Sequence, residues 1–216
     1  MRIKFASAVD TKNFRSTGFT LIELLVVVGI LIIFATYTAL NINSQRPQVR
    51  VDQAAREFAG ALSYAQNLAT SGKVFRDELD SQGNPGVVDG IADAPNGYGV
   101  HLYSSVGDST IFDRYHLYGD LYTGGIASKY DNASLEERVA PDVLIDARVR
   151  AQVATINLPL DIFFETGWAT IHFWDNISNI NELAAASLTV VFSDVADASI
   201  KRDVIINRVT SQIFVQ

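Results

Sequence analysis

Cysteine is absent from the 216 residues, which excludes a disulfide framework and any thiolate metal site. Histidine occurs three times, as His101, His116 and His172, spread over separate segments without the i,i+4 or H-x-x-E spacing that a zinc site needs. Each reads as an ordinary strand residue. There is no G-x-S-x-G elbow and no P-loop, and Gly97-Tyr98-Gly99 lacks the third glycine and the helix of a dinucleotide site. The residues therefore point to no enzyme, no cofactor and no metal. Positive charge is also short, with 17 Lys and Arg against 24 Asp and Glu for a net −7, and an acidic chain has no general attraction to nucleic acid.

What is present is unevenly placed. Arg2, Lys4, Lys12 and Arg15 against Asp10 leave Met1–Gly18 at +3, so the remaining residues carry −10 and the total is −7. Directly after that basic stretch, Phe19–Leu40 reads FTLIELLVVVGILIIFATYTAL, 22 residues with one charge. As a helix it would reach about 33 Å, enough to cross a bilayer. Basic residues before an apolar span hold that end in the cytoplasm, which puts the acidic remainder on the other side. A secretory signal peptide has the reverse order, a shorter apolar core followed by its small-residue cleavage site, whereas here Gly18 precedes the run.

The single charge in the run is Glu23, and a carboxylate inside an apolar span costs about 2 to 3 kcal/mol when deep, so it calls for a partner. Gly18-Phe19-Thr20-Leu21-Ile22-Glu23-Leu24-Leu25-Val26-Val27 resembles the prepilin leader motif of type IV pilins and type II secretion pseudopilins. The resemblance implies cleavage after Gly18 by a membrane-embedded prepilin peptidase, methylation of the new amino terminus at Phe19, and a role for Glu23 in assembly through the amine of an adjacent subunit. The physical logic agrees, since cleavage creates a positive amine one helical turn from Glu23 in a low-dielectric setting.

Beyond the apolar run the pattern changes but stays helical. Val51, Ala54, Ala55, Phe58, Leu62, Ala65 and Leu68 recur at steps of three and four, with polar residues largely on other faces. Asp52 and Arg56 form an i,i+4 pair, and Gly72 is a plausible stop. Asn41–Ser44 and Pro47 suggest a kink or short break between the halves.

Residues 73–97 are rich in Asp, Gly, Asn and Pro and read as a long exposed loop. Its Asp77, Glu78, Asp80, Asp89 and Asp93 invite calcium, but the spacing misses the EF-hand template and Pro85 stands where the glycine is needed. Strands are expected at Tyr98–Ser104, Thr110–Leu117, Val143–Ala147, Thr155–Leu158, Asp161–Glu165, Ala169–Phe173, Leu188–Phe192, Asp203–Asn207 and Ser211–Val215. Ser134–Val139 suggests one helical turn, and Ile177–Ala186 a short helix or loop. Phe163, Phe164, Trp168, Phe173 and Trp174 form an aromatic cluster, with core packing favoured over a ligand platform. Lys201, Arg202 and Arg208 are a small basic group and a weak footprint for DNA.

The segments VDQAAREFAGALSYAQNLATSGK, VAPDVLIDA, IFFETGWATI and RDVIINRVTSQIFVQ also resemble the GspH/FimT-like minor pseudopilins, although Thr210 and Ser211 stand where that group usually turns on a glycine. The implied fold class is α+β, pilin-like: a long N-terminal helix, half membrane-spanning and half amphipathic, packed on an antiparallel β-sheet. The expected division is a cleaved cytoplasmic leader at 1–18, a transmembrane and filament-core helix at 19–40, an amphipathic helix at 41–72 and a β-sheet body at 73–216. The expected function is a structural subunit, a minor pilin or pseudopilin, of a type IV pilus or type II secretion pseudopilus. The alternative is a filament-tip subunit that captures DNA, a surface or a secreted substrate. The implied partners are prepilin peptidase, other pilin or pseudopilin subunits, the inner-membrane assembly platform and the lipid bilayer. The implied location is a single-pass inner membrane protein with a cytoplasmic N-terminus and a periplasmic or extracellular body, moving to the filament on assembly.

Overall fold

The computed structural model describes residues 19–74, 95–105, 107, 110–120, 130, 136–153, 156, 158–168, 170–175 and 184–216, with 39–44 and 136–138 described by backbone alone. The chain divides into two compact units, Met1–Gln45 and Arg46–Gln216.

One helix, α1 (Leu21–Ser71), contributes to both units. Its helical backbone continues through Asn41–Ser44 and holds Pro47 inside it, so the short break suggested by the sequence does not occur. A proline removes one helical hydrogen bond and crowds the preceding turn, a cost of about 3 kcal/mol that long helical stretches on either side can absorb. The helix ends as glycine dictates: Gly72 adopts φ +59°, its N–H donates to the Ala69 carbonyl (3.4 Å), and the Lys73 N–H reaches back to Leu68 (3.4 Å). These two bonds close the helix end as a glycine cap does, on carbonyls that also accept from the Gly167 N–H (Ala69) and the Ser71 hydroxyl (Leu68).

The second unit holds two antiparallel sheets rather than one. The strands are β1 (Gly97–Tyr103), β2 (Ile111–Phe112), β3 (Arg114–Asp120), β4 (Glu136–Arg138), β5 (Val143–Leu144), β6 (Val149–Val153), β7 (Leu160–Glu165), β8 (Ile171–Asp175), β9 (Ser187–Asp194), β10 (Lys201–Asn207) and β11 (Gln212–Val215). The first sheet has the order β4-β3-β1-β7-β8, with β5 also on β3, and the second has the order β11-β10-β9-β6-β2. The expected Thr110–Leu117 strand is divided between them, because Asp113 separates β2 in one sheet from β3 in the other.

The core lies where these sheets meet the helix. Val51, Ala55, Phe58, Leu62, Ala65 and Leu68 of α1 are all buried, the stripe expected from the three- and four-residue steps. Phe58 joins the two sheets: its ring lies 5.3 Å from Tyr115 of β3, 5.8 Å from Phe112 of β2 and 5.5 Å from Phe192 of β9, centroid to centroid. On the polar side of the helix, Arg56 pairs with Asp52 at 2.7 Å, and Arg50 reaches Asp194 at the end of β9 at 3.1 Å.

Two local readings need correction. Residues 136–138, expected within a helical turn, form β4, because pairing with Tyr118–Asp120 satisfies backbone groups that a lone turn would leave open. The strand β6 was not expected. Its Val149, Ala151 and Val153 alternate buried with exposed Arg150 and Gln152, a period-two signal carried by only three small apolar residues. Thr155 and Asn157 of the expected Thr155–Leu158 strand, most of Ile177–Ala186 and the acidic loop lie outside the described residues.

Candidate functional site

The start of α1 is built from Thr20 and Glu23. The Thr20 backbone N–H donates to Glu23 Oε2 (2.9 Å), the Thr20 hydroxyl donates to the same oxygen (2.9 Å), and the Glu23 N–H donates to Thr20 Oγ1 (3.3 Å). This reciprocal arrangement is a capping box, in which an N-cap threonine and a glutamate three residues later satisfy each other's backbone donors. The carboxylate also lies in the first turn, where the helix dipole favours negative charge. Thr20 was missed as a functional residue although its signal was legible, since T-x-x-E ahead of an apolar run is the capping-box pattern. Phe19 precedes the cap and is exposed, while Gly18 lies outside the described residues.

From this cap the helix is apolar on every side. Among the described residues Leu21–Thr38 is long and apolar enough to cross a membrane, and none of that stretch is buried in the protein. Its two later threonine hydroxyls are satisfied inside the helix, Thr36 donating to the Ile32 carbonyl (2.8 Å) and Thr38 to the Phe34 carbonyl (2.9 Å), while Tyr37 between them is exposed. The threonines therefore present no open donor to an apolar surrounding, and the Tyr37 hydroxyl stands near the end of the span. That arrangement suits packing in lipid or against other apolar helices.

The remaining candidates resolve differently. His101, His116 and His172 fall on β1, β3 and β8. His101 and His116 are cross-strand partners, buried with ring centroids 5.1 Å apart. Asp161 of β7, also buried, lies 2.5 Å from His101 Nδ1 and accepts the Tyr130 N–H (3.1 Å), so the carboxylate is compensated as burial requires. Tyr103 donates to Asp142 at 2.5 Å, and Asp142 stands 3.5 Å from His116 Nδ1. Among the described residues no group of three or more His, Asp or Glu could hold a metal ion. The calcium candidates Asp77–Asp93 lie outside the described residues.

In the aromatic cluster, Phe163, Phe164, Phe173 and Trp174 are buried, but Trp168 is 86% exposed at the β7–β8 turn. The expectation of core packing fails at that one residue, because the turn carries it past the end of both strands. The basic group is diluted: Arg202 is bound to Asp52 of α1 at 3.2 Å, which offsets its charge. The hairpin without glycine turns by other means. Ser211 takes φ +54°, and Asn207 Oδ1 accepts the N–H groups of Val209 (2.9 Å) and Thr210 (3.0 Å), a side chain standing in for a backbone turn. Tyr115, in the recess beside Glu57, has its hydroxyl pushed up to about 12 by burial and by the nearby Glu57 charge, which keeps it protonated.

A family model described as the prokaryotic N-terminal methylation motif matches residues 13–38. The matched stretch contains the Gly18–Phe19 bond, the Thr20–Glu23 cap and the exposed apolar helix. No curated protein matches the chain. Among solved structures it is similar to the crystal structure of the type IV minor pilin FimU of Pseudomonas aeruginosa, at 13% identity and a TM-score of 0.39, over 76% of this chain and 91% of that one.

Proposed function

We propose that this chain, which carries the prepilin-type methylation motif of the type IV pilin family at residues 13–38, is a structural subunit, a minor pilin or pseudopilin, processed by prepilin peptidase and assembled into a filament. The observation that carries the reading is the coincidence of that motif with a helix whose apolar residues face outward on all sides. Burying such a helix recovers on the order of 25 cal/mol per Å² of apolar surface, so it requires lipid before assembly and other helices after it.

In this reading residues 1–18 are the cytoplasmic leader, 19–40 the membrane span and later filament core, 41–72 the amphipathic helix of the body and 73–216 the β-sheet body outside the cytoplasm. Gly18 lies before the scissile bond, where the lack of a side chain lets a peptidase approach the backbone. Cleavage frees an amine at Phe19, which is methylated. Glu23 then has two roles in succession: before cleavage its Oε2 is held by Thr20, and afterwards the amine of its own or a neighbouring subunit competes for that oxygen. Prepilin peptidase, other pilin or pseudopilin subunits, an inner-membrane assembly platform and the bilayer are the partners this scheme requires.

The test separates processing from assembly. In cells with a prepilin peptidase and its filament system, the parent chain loses its first 18 residues by mass and enters sheared filaments. A bulky residue at Gly18 leaves the precursor uncut. Glu23→Val is still cut but enters filaments poorly. Cleavage of the Gly18 variant at the same bond, or normal incorporation of Glu23→Val, defeats the corresponding assignment.

A further inference from the structure

Among the described residues of Leu21–Thr38, Tyr37 is the neutral polar side chain that finds no partner in its own helix. Thr36 and Thr38 on either side donate to the Ile32 and Phe34 carbonyls, and at the other end Thr20 and Glu23 bond each other. Tyr37 is 69% exposed, so its ring and hydroxyl face whatever surrounds the span. At the headgroup level of a bilayer the ring meets acyl chains and the hydroxyl meets water. Drawn into the hydrocarbon, the same hydroxyl is left unbonded.

The place of Tyr37 along the chain decides what that preference does. From Leu21 to Tyr37 the helix rises about 24 Å. Phe19 lies two residues before Leu21, outside the helix, which adds up to about 7 Å. The Gly18–Phe19 bond therefore stands about 31 Å from Tyr37, against a hydrocarbon core of about 30 Å. A tyrosine held at the headgroups of one surface brings that bond to the other surface. The cations of Met1–Gly18 select the side of the membrane but measure depth poorly, because lysine and arginine stems reach the headgroups from several levels. A rigid amphipathic ring has one preferred level.

We propose that Tyr37 is a positioning residue for the cleavage: seated among the phospholipid headgroups at the outer end of the span, it sets the depth at which the Gly18–Phe19 bond meets the peptidase. The inference rests on the processing reading above and adds the residue that measures the span. A membrane-embedded peptidase works at a fixed depth, so a bond drawn into the hydrocarbon is presented to it less often. Tyr37 does not touch that bond and acts through the helix between them. The body, Arg46–Gln216, is a separate compact unit, so its folding does not depend on Tyr37.

The test uses the full chain in membrane vesicles that hold a prepilin peptidase, with loss of the first 18 residues followed by mass. The double substitution Tyr37→Leu with Phe34→Tyr moves the tyrosine three residues, about 4.5 Å along the helix, so seating it at the headgroups draws the bond into the hydrocarbon. Initial cleavage should slow about fivefold, the scale that mismatch over such a distance gives. Phe34→Tyr alone, which keeps Tyr37, and Tyr37→Trp, which keeps an interfacial ring, should be cut at the parent rate. Depth is read separately. Because the chain has no cysteine, Ser16→Cys gives every variant a single thiol for a membrane-impermeant maleimide added on the leader side. Labelling should fall in the double variant and stay at the parent level in the other two. Equal cleavage of the parent and the double variant, or a Tyr37→Trp chain as slow as the double variant, overturns the inference and leaves the proposed function standing. Slower cleavage with unchanged labelling also overturns it, since depth is then not the cause. A parent chain that is never cut overturns both.

Discussion

The two halves of α1 bury hydrophobic surface by opposite rules. Leu21–Thr38 is apolar around its whole circumference and buries none of it within the chain, while the later half is apolar only along the Val51–Ala69 stripe and buries that stripe completely. Composition alone would rank the first half as the better core. The arrangement decides otherwise: an all-round apolar helix suits a surrounding that is apolar on all sides, and a striped helix suits a sheet on one side and water on the other. Phe34 and Phe58 state the contrast in single residues, at 65% and 0% exposure in the same helix.

The largest expected effect follows from the buried member. Phe58→Ala removes a ring that touches both sheets, so the Arg46–Gln216 unit should lose about 3 to 5 kcal/mol in a thermal or denaturant melt. A loss below about 1 kcal/mol would mean that the stripe is not what joins the sheets. Next comes the far face of the first sheet, away from the helix. A Cβ at Gly99 would stand 2.4 Å from Cζ of the buried Tyr118 ring, so Gly99→Ala should cost about 1 to 3 kcal/mol through overpacking. An unchanged melt would show that this face is looser than the helix face.

A graded effect is expected in acid, where the polar side of the later half is anchored. The Arg50 guanidinium hydrogen-bonded to Asp194 holds that carboxyl below the usual range against the opposing effect of desolvation, and the N–H groups of Ala196 and Asp197 add to it. Asp52 beside Arg56, Asp146 beside Arg148 and Asp197 beside Ser199 are lowered likewise. A depressed carboxyl contributes its full stability above the unfolded value near about 4, and loses it as pH falls through the lower folded value. The melting temperature of the body should therefore be level from neutral pH to about 5 and fall below about 4. Asp194→Asn should start lower at neutral pH and fall less steeply. An equal acid slope in parent and variant would remove Asp194 from the explanation.

How much of this was legible in the sequence follows the same division. The stripe was readable because Phe58, Leu62 and their neighbours repeat with the helical period, and the N-terminal methylation motif because it is a dense, ordered run. The long strands were readable to within a few residues for the same reason, as β9 shows with regular alternation over Ser187–Asp194. Two sheets in place of one were not readable, since strand pairing is a long-range choice: β2 and β3 are separated by Asp113 alone yet pair with β6 and β1 in different sheets. Trp168 was lost among its aromatic neighbours because spacing does not say which residue a turn pushes outward. The His101–Asp161 contact joins residues far apart in sequence, so no local pattern announces it.

The smallest expected effect is the most discriminating, because it is a zero in one measurement. Phe34→Ala removes the same ring as Phe58→Ala from the same helix, but from a surface that is exposed rather than buried in its own chain. The melt of the body should not move. The membrane span should also survive, since one phenylalanine contributes only some tenths of a kcal/mol to insertion of an otherwise apolar helix. In the proposed filament, what changes is helix packing between subunits, where no hydrophobic driving force separates helix from lipid and van der Waals fit decides association. Membrane extraction, cleavage at Gly18–Phe19 and body melting should match the parent, while recovery in sheared filaments falls. If the body melts lower, the helix halves are not independent in the way the contrast requires. If filament recovery is unchanged as well, Phe34 faces outward in the filament too, and the packing face of the span must be sought among its other apolar residues.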